Sequence, residues 1–381
     1  MLSSLIFLST IFVQLTAGLS EQRGLGTHTI SLTRSAPDQP LGGGPVDYDR
    51  IEAHLDALEA KYSNVLHKRG KARRDGHKRA KSSAALTLVE NGSAWAAPAT
   101  FGGAPVSFIL DTAFSDCLVS EQVYDPRKSK TARRTTAHFG FDYNSRPAGG
   151  DVWRDTLEIA GLSVPSVAAG VSTQPFLSQA GGVCGLGPDG SSAFNAQFHP
   201  FFYQMVSSHL VTKPQFAFAL SKSGASDVTF GGTNPAHFSG ALTSVKVKDP
   251  VGGFWKLPGS LSGVNAEFIL DSASDLIVVP KSNIRPYFTK LGVTPFTRNG
   301  VVYGSYPCSK PPSLVFKFGD AVFPVIESAK SLGHTDDGQC ILAMVGKDVG
   351  LAVPTVGAPL FESSYIVFDI HALDVAFAQR K

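Results

Sequence analysis

Phe108-Ile109-Leu110-Asp111-Thr112-Ala113 is a stretch that the chain uses twice. It returns as Phe268-Ile269-Leu270-Asp271-Ser272-Ala273. Each copy is three apolar residues, an Asp, a small hydroxyl residue and an Ala. Each is followed by a second apolar run, Cys117-Leu118-Val119 in the first and Leu276-Ile277-Val278-Val279 in the second. One such strand ending is weak information. Two in the same order point to an internal duplication, which is a property of the whole architecture. The reading is two similar lobes, each carrying one Asp at a strand end into a shared cleft.

Composition supports a β-rich chain. Charged residues make up only 17%, while 38 Gly, 24 Pro and 26 Phe supply turn formers and strand-packing rings. From Ala84 onward, Leu86-Thr87-Leu88-Val89, Phe108–Leu110, Phe139-Gly140-Phe141, Leu157-Glu158-Ile159 and Phe216–Leu220 read as strands. Helices are few, with candidates at Phe201–Leu210 and Ser282–Leu291. At 381 residues there is room for two cored lobes.

Charge is unevenly spread. Lys68, Arg69, Lys71, Arg73, Arg74, Lys78, Arg79 and Lys81 are opposed within residues 66–81 only by Asp75. From Ser82 onward 22 basic residues meet 23 acidic ones, so the globular part carries no nucleic-acid footprint. The four Cys form no CxxC pair and there is no HExxH, so no metal site or cofactor is expected. Cys117 and Cys184 read as buried thiols, with a disulfide as the alternative.

The first 20 residues hold a short apolar core, Leu5 to Val13, followed by Ala17, Gly18 and Ser20, the pattern of a signal peptide; the run is too short to anchor in a bilayer. Residues 21–81 then read as a propeptide. Asp47 caps a helix on which Ile51, Leu55, Leu58, Tyr62 and Val65 recur at helical spacing. The dibasic pairs Lys68-Arg69, Arg73-Arg74 and Lys78-Arg79 follow as processing sites, and the basic run is expected to lie over an acidic cleft by charge complementarity. Residues 82–248 and 249–381 are the two lobes. Asn91-Gly92-Ser93 is a glycosylation acceptor, which suits a surface loop of a secreted chain.

Two carboxyls facing one cleft cannot both be ionised. They share a proton, one acting as base towards water and the other polarising a peptide carbonyl. On these residues the chain resembles the pepsin-like aspartic peptidases, whose signature is Asp-Thr/Ser-Gly in each lobe. The resemblance covers roughly residues 84–381. It implies an all-β, bilobal fold with two pseudo-symmetric lobes and few short helices. It implies a secreted, monomeric endopeptidase, made as a zymogen and acting at acidic pH on peptide or protein substrates held in the interlobe cleft. Asp111 and Asp271 become the catalytic dyad, with Thr112, Ser272 and Ser274 supporting the loops. Phe139–Gly150 resembles the flap hairpin, with Tyr143 closing over bound peptide. Cys308 and Cys340 fall where the family has a disulfide. The basic propeptide would pair its Lys and Arg with the cleft Asp at neutral pH and release them on acidification.

Departures from the pattern are specific. The signature Gly is Ala113 and Ala273. Phe114 replaces the hydroxyl that would support Asp111, whose counterpart in the second lobe is Ser274. Leu118 stands in place of the Trp that holds the flap Tyr, and Ala358 replaces an Asp after Gly357. They define the alternative of an impaired homologue that binds peptides without efficient cleavage. A β-sandwich binding module without peptidase ancestry is disfavoured by the duplicated Asp loops.

Overall fold

A computed structural model describes residues 44–66, 81–143, 145–189, 192–194, 197–249 and 252–381. The expected signal peptide and the dibasic pairs lie outside them. The helix Tyr48–Leu66 is present, and Asp47 caps it by accepting the Arg50 N–H at 3.0 Å.

The duplication read from sequence is visible in the strand pairing. The strand Ala104–Asp111 runs antiparallel to Ala94–Phe101 and parallel to Gly182–Gly185, which is antiparallel to Cys117–Ser120. In the second half Val264–Leu270 runs antiparallel to Lys256–Leu261 and parallel to Thr355–Val356, which is antiparallel to Ile277–Val279. Each Asp therefore leaves a central strand beside a parallel neighbour that arrives later in the chain. The fold is all-β and bilobal, with sheets of 13 and 10 strands.

The halves of the chain are not the same as the sheets. Strands Ser364–Asp369 and Asp374–Arg380, from the end of the chain, join the larger sheet beside Gln215–Ala219 and Phe238–Lys246. Ser82–Val89 completes the connection: its first five residues pair with Ser226–Phe230 and its last three with Ala94–Phe101. Phe216, Phe218, Phe361 and Phe368 pack into one aromatic layer under these strands, with Trp255 reaching into it from the second half. Burial of such rings is the largest apolar contribution available to a β-rich core.

Phe201–Ser207 and Ile284–Leu291 form the two helices anticipated near those positions; the first stops early, where His209 takes a positive φ of 59°. The sequence expectation of free thiols at Cys117 and Cys184 is corrected, because they form a disulfide. The two residues stand directly opposite on antiparallel strands. The flanking Gly185 N–H to Asp116 carbonyl bond marks them as a pair without mutual backbone bonds, where side chains approach most closely. Cys308 and Cys340 form the second disulfide. Asn91 falls in the turn Glu90–Gly92 between two strands.

Candidate active site

Asp111 and Asp271 are fully buried at the ends of their strands. Two hydroxyls lock the loops together across the lobe interface. Thr112 Oγ1 donates to the Leu270 carbonyl at 2.8 Å and accepts from Ser272 N at 3.0 Å. Ser272 Oγ donates to the Leu110 carbonyl at 2.7 Å and accepts from Thr112 N at 3.0 Å. Four bonds in reciprocal pairs satisfy backbone groups that burial would otherwise leave unpaired. A side chain one atom longer or lacking the hydroxyl could not make both.

Behind each loop a glycine allows close approach. A Cβ on Gly185 would come within 2.4 Å of the Phe114 carbonyl oxygen, and one on Gly357 within 2.0 Å of the Ser274 carbonyl oxygen. At the signature glycine positions, by contrast, the backbone asks for no glycine. Ala113 and Ala273 are not among the residues with positive φ, and their methyls are buried. Ala113 N–H donates to Asp111 Oδ1 at 2.8 Å and Ala273 N–H to Asp271 Oδ1 at 3.0 Å. The carboxylates are thus oriented by backbone donors that Ala supplies as well as Gly.

Ser274 has its side-chain partners in its own loop and in the helix rather than at Asp271. Its Oγ accepts from Leu276 N at 3.3 Å and lies 3.3 Å from His54 Nε2, so it braces its own loop and meets the helix. Phe114 does more than vacate a hydroxyl position. Its ring packs edge-on to Tyr143 at 5.4 Å, and Phe176 meets Tyr143 from another side at 6.0 Å. These rings confine the Tyr143 side chain. Tyr143 comes from the hairpin of Arg133–Tyr143 and Arg146–Ile159. Its hydroxyl donates to Asp111 Oδ2 at 2.9 Å.

The cleft is occupied by the chain's own helix. Lys61 Nζ lies 2.6 Å from Asp271 Oδ2, 3.1 Å from Asp111 Oδ2 and 3.3 Å from Asp111 Oδ1. Tyr62 donates to Asp271 Oδ2 at 2.5 Å. Ile51, Leu55, Leu58 and Tyr62 are buried in a core cluster that takes Ile109, Phe114 and Tyr143 from one lobe and Ile269, Leu276 and Tyr303 from the other. The lysine expected to reach the carboxyls from the basic run therefore comes from the helix; residues 67–80 lie outside those described. Sequence reading missed Lys61. It lies one turn beyond Leu58 but about 40° outside the arc that the apolar residues mark, so the helical period alone does not single it out.

Electrostatics follow from this contact. Burial pushes the Asp111 carboxyl up to about 6, an effect that Lys61 opposes and the Asp271 charge reinforces. Burial acts to raise Asp271 as well, but Lys61 and the Tyr62 hydroxyl outweigh it and hold that carboxyl below the ordinary value. Burial also lowers the His54 imidazole, despite Asp275 at 3.4 Å. Asp116 and Asp275 serve the surrounding loops: Asp116 accepts from Ser192 Oγ and Ala193 N, and Asp275 pairs with Arg50 at 3.0 Å. Asp369 caps a turn through His371 N and Ala372 N. Among the described residues no cluster of His, Cys, Asp or Glu is arranged to hold a metal ion. No described helix is long and apolar enough to cross a membrane.

The buried carboxyls of Asp111 and Asp271 lie on duplicated loops, both in contact with Lys61 Nζ. The family described as eukaryotic aspartyl protease matches residues 106–380, and the chain belongs to it. It is 31% identical to secreted aspartyl protease 1 of Malassezia globosa, over 87% of this chain and 88% of that protein. It is 26% identical to the aspartic protease of Phaffia rhodozyma, over 93% of this chain and 92% of that one. Aspergillopepsin-1 of Emericella nidulans is 27% identical over 78% of this chain and 81% of its own length. The protein is accordingly an aspartic endopeptidase, a hydrolase of peptide or protein substrates.

Proposed function

We propose that the chain is a secreted zymogen in which Asp111 and Asp271 form the catalytic dyad and the helix Tyr48–Leu66 blocks it until acidification and processing remove it. The observation that carries this reading is a single ammonium, Lys61 Nζ, in contact with both carboxyls. No peptide bond can occupy that position while the helix stays. Two disulfides agree with an oxidising compartment, as does the name of the Malassezia globosa relative, secreted aspartyl protease 1.

In the processed enzyme one carboxylate takes a proton from water as its oxygen bonds to the peptide carbonyl carbon. The protonated partner donates to the carbonyl oxygen. Collapse of the tetrahedral diol breaks the C–N bond, and the amine leaves with a proton returned from the dyad. Thr112 and Ser272 fix the two loops during these transfers. Tyr143, released from Asp111, closes the flap over an extended peptide bound by backbone hydrogen bonds.

The test uses purified, processed protein at acidic pH with a denatured protein substrate. Cleavage that a statine-type inhibitor blocks and Asp271→Ala abolishes is the expected result. Inhibitor binding without turnover would replace this reading with that of a non-cleaving homologue. The backbone donors retained at Ala113 and Ala273 favour turnover.

A further inference from the structure

Besides the Arg50–Asp275 and Lys61–Asp271 pairs, the helix meets the second lobe through acidic side chains, the opposite sign to that expected of a basic prosegment. Its exposed face carries Asp49, Glu52, Asp56 and Glu59, and the lobe answers with cations. The contact centres on the hairpin of Thr294–Arg298 and Val301–Pro307. Asn299 and Gly300 turn the chain with positive φ values of 46° and 76°, the two-residue hairpin turn that Asn-Gly favours. This turn sets Arg298, Asn299 and Tyr303 around one carboxylate. Glu52 accepts from Asn299 Nδ2 at 2.8 Å, from Arg298 Nε at 3.2 Å and from the Tyr303 hydroxyl at 3.4 Å. Tyr303 is fully buried, stacked on Phe296 of the same hairpin at 5.4 Å and packed edge-on against Tyr48 of the helix at 5.3 Å. Further along the helix, Lys347 pairs with Asp56 at 3.1 Å and with Glu59 at 3.7 Å.

Three donors from one in-register hairpin converge on a single carboxylate, with Tyr48 and Asp49 of the helix also touching Arg298. We propose that Arg298, Asn299 and Tyr303 are a carboxylate-binding subsite, filled by Glu52 in the zymogen and by an acidic substrate side chain in the processed enzyme. The inference rests on the reading of the helix as a removable prosegment. Position follows from helix geometry. Glu52 precedes Lys61 by nine residues, which at 1.5 Å per residue is about 14 Å from the dyad. An extended peptide covers that span in about four residues at roughly 3.3 Å each. Lys347, nearer the dyad, adds the same sign of charge along the path.

The experiment measures binding and turnover separately on the processed enzyme. Reduced-amide peptide inhibitors carry Glu or Gln at three to five residues on either side of the isostere. Affinities are measured at pH 5.5, above the ordinary Glu value of about 4.3, so the Glu is ionised. One position should bind Glu about fivefold to tenfold more tightly than Gln, the effect of charge-assisted bonds at a partly exposed site. Arg298→Gln should bring that ratio to about one with the Gln inhibitor unaffected, and Arg298→Glu should favour Lys over Glu. A wild-type ratio near one at every position, or a ratio that Arg298→Gln leaves intact, overturns the subsite. Cleavable versions of the peptides test the peptidase reading independently. Turnover without Glu preference sinks the subsite alone, and Glu preference without turnover sinks the peptidase reading alone.

Discussion

Lys61 is the residue on which the closed state turns. A buried cation between two carboxyls neutralises charge that would otherwise be uncompensated, and removing one partner of such a pair costs about 3–5 kcal/mol. Lys61→Met should therefore free the helix at neutral pH. The expected outcome is peptidase activity at pH 7 before processing, together with rapid cleavage of residues 48–66 by an added protease. A helix as protected as in the wild type would show that apolar burial of Ile51, Leu55, Leu58 and Tyr62 suffices to hold it. For single residues of the catalytic loops, Ala113→Gly with Ala273→Gly should change kcat by no more than about threefold, because the amide donors are already in place. A large gain in kcat would mean that the methyls crowd the attacking water.

Among the elements, the reciprocal hydroxyl lock joins two loops that belong to different lobes. Thr112→Val removes a donor and an acceptor and leaves the Leu270 carbonyl and Ser272 N–H unsatisfied. The expected loss is about 1–3 kcal/mol of stability per buried group left unpaired. Misplaced carboxyls should also lower kcat, on the order of a hundredfold. Thr112→Ser keeps the hydroxyl and should restore both, which thermal melting and steady-state kinetics would show. Retention of activity in Thr112→Val would demote the lock to a structural detail. The strands around these loops were legible from alternating apolar runs, and the duplicated Asp strands located the loops themselves. The Cys117–Cys184 bond was not legible. Sequence left free thiols and a bond both open, and only the antiparallel register sets the two residues face to face. Ser274 illustrates the converse: its position in the motif was clear, while its partners depend on a helix more than 200 residues away.

Across the protein as a unit, the protonation equilibria predict how the helix is released. Asp271 is held below its ordinary value, so its contribution to helix docking is full above about pH 4 and is lost as pH falls through the depressed value. Asp111, raised to about 6 with the helix docked, binds its proton more readily there than an exposed carboxyl does, so its protonation does not drive release. His54 is buried with a lowered imidazole between Ser274 and Asp275, near Lys61, Arg50 and Asp271. Docking favours its neutral form, so the released state gains as pH falls below about 6.5. His54 acts first as pH falls, and Asp271 follows below about pH 4. Hydrogen exchange of residues 48–66 should accelerate as pH falls from 7 to 4, and His54→Gln should remove the upper part of that transition. Exchange independent of pH over this range would show that processing, rather than protonation, opens the cleft.

Local order in the chain encodes the duplication, the all-β character and the two Asp-bearing loops: apolar runs form strands, turn residues end them, and a motif repeats. The same order marks the helix by its apolar period. What fills the cleft is settled only in three dimensions. Lys61 meets Asp111 and Asp271 across 50 and 210 residues of chain, and Glu52 meets Arg298 and Asn299 across 246 and 247. Such contacts depend on which face of the helix is buried and on how two lobes are set against each other. No local pattern carries that information, since the energy of pairing a buried charge exists only once the surrounding chain has excluded water.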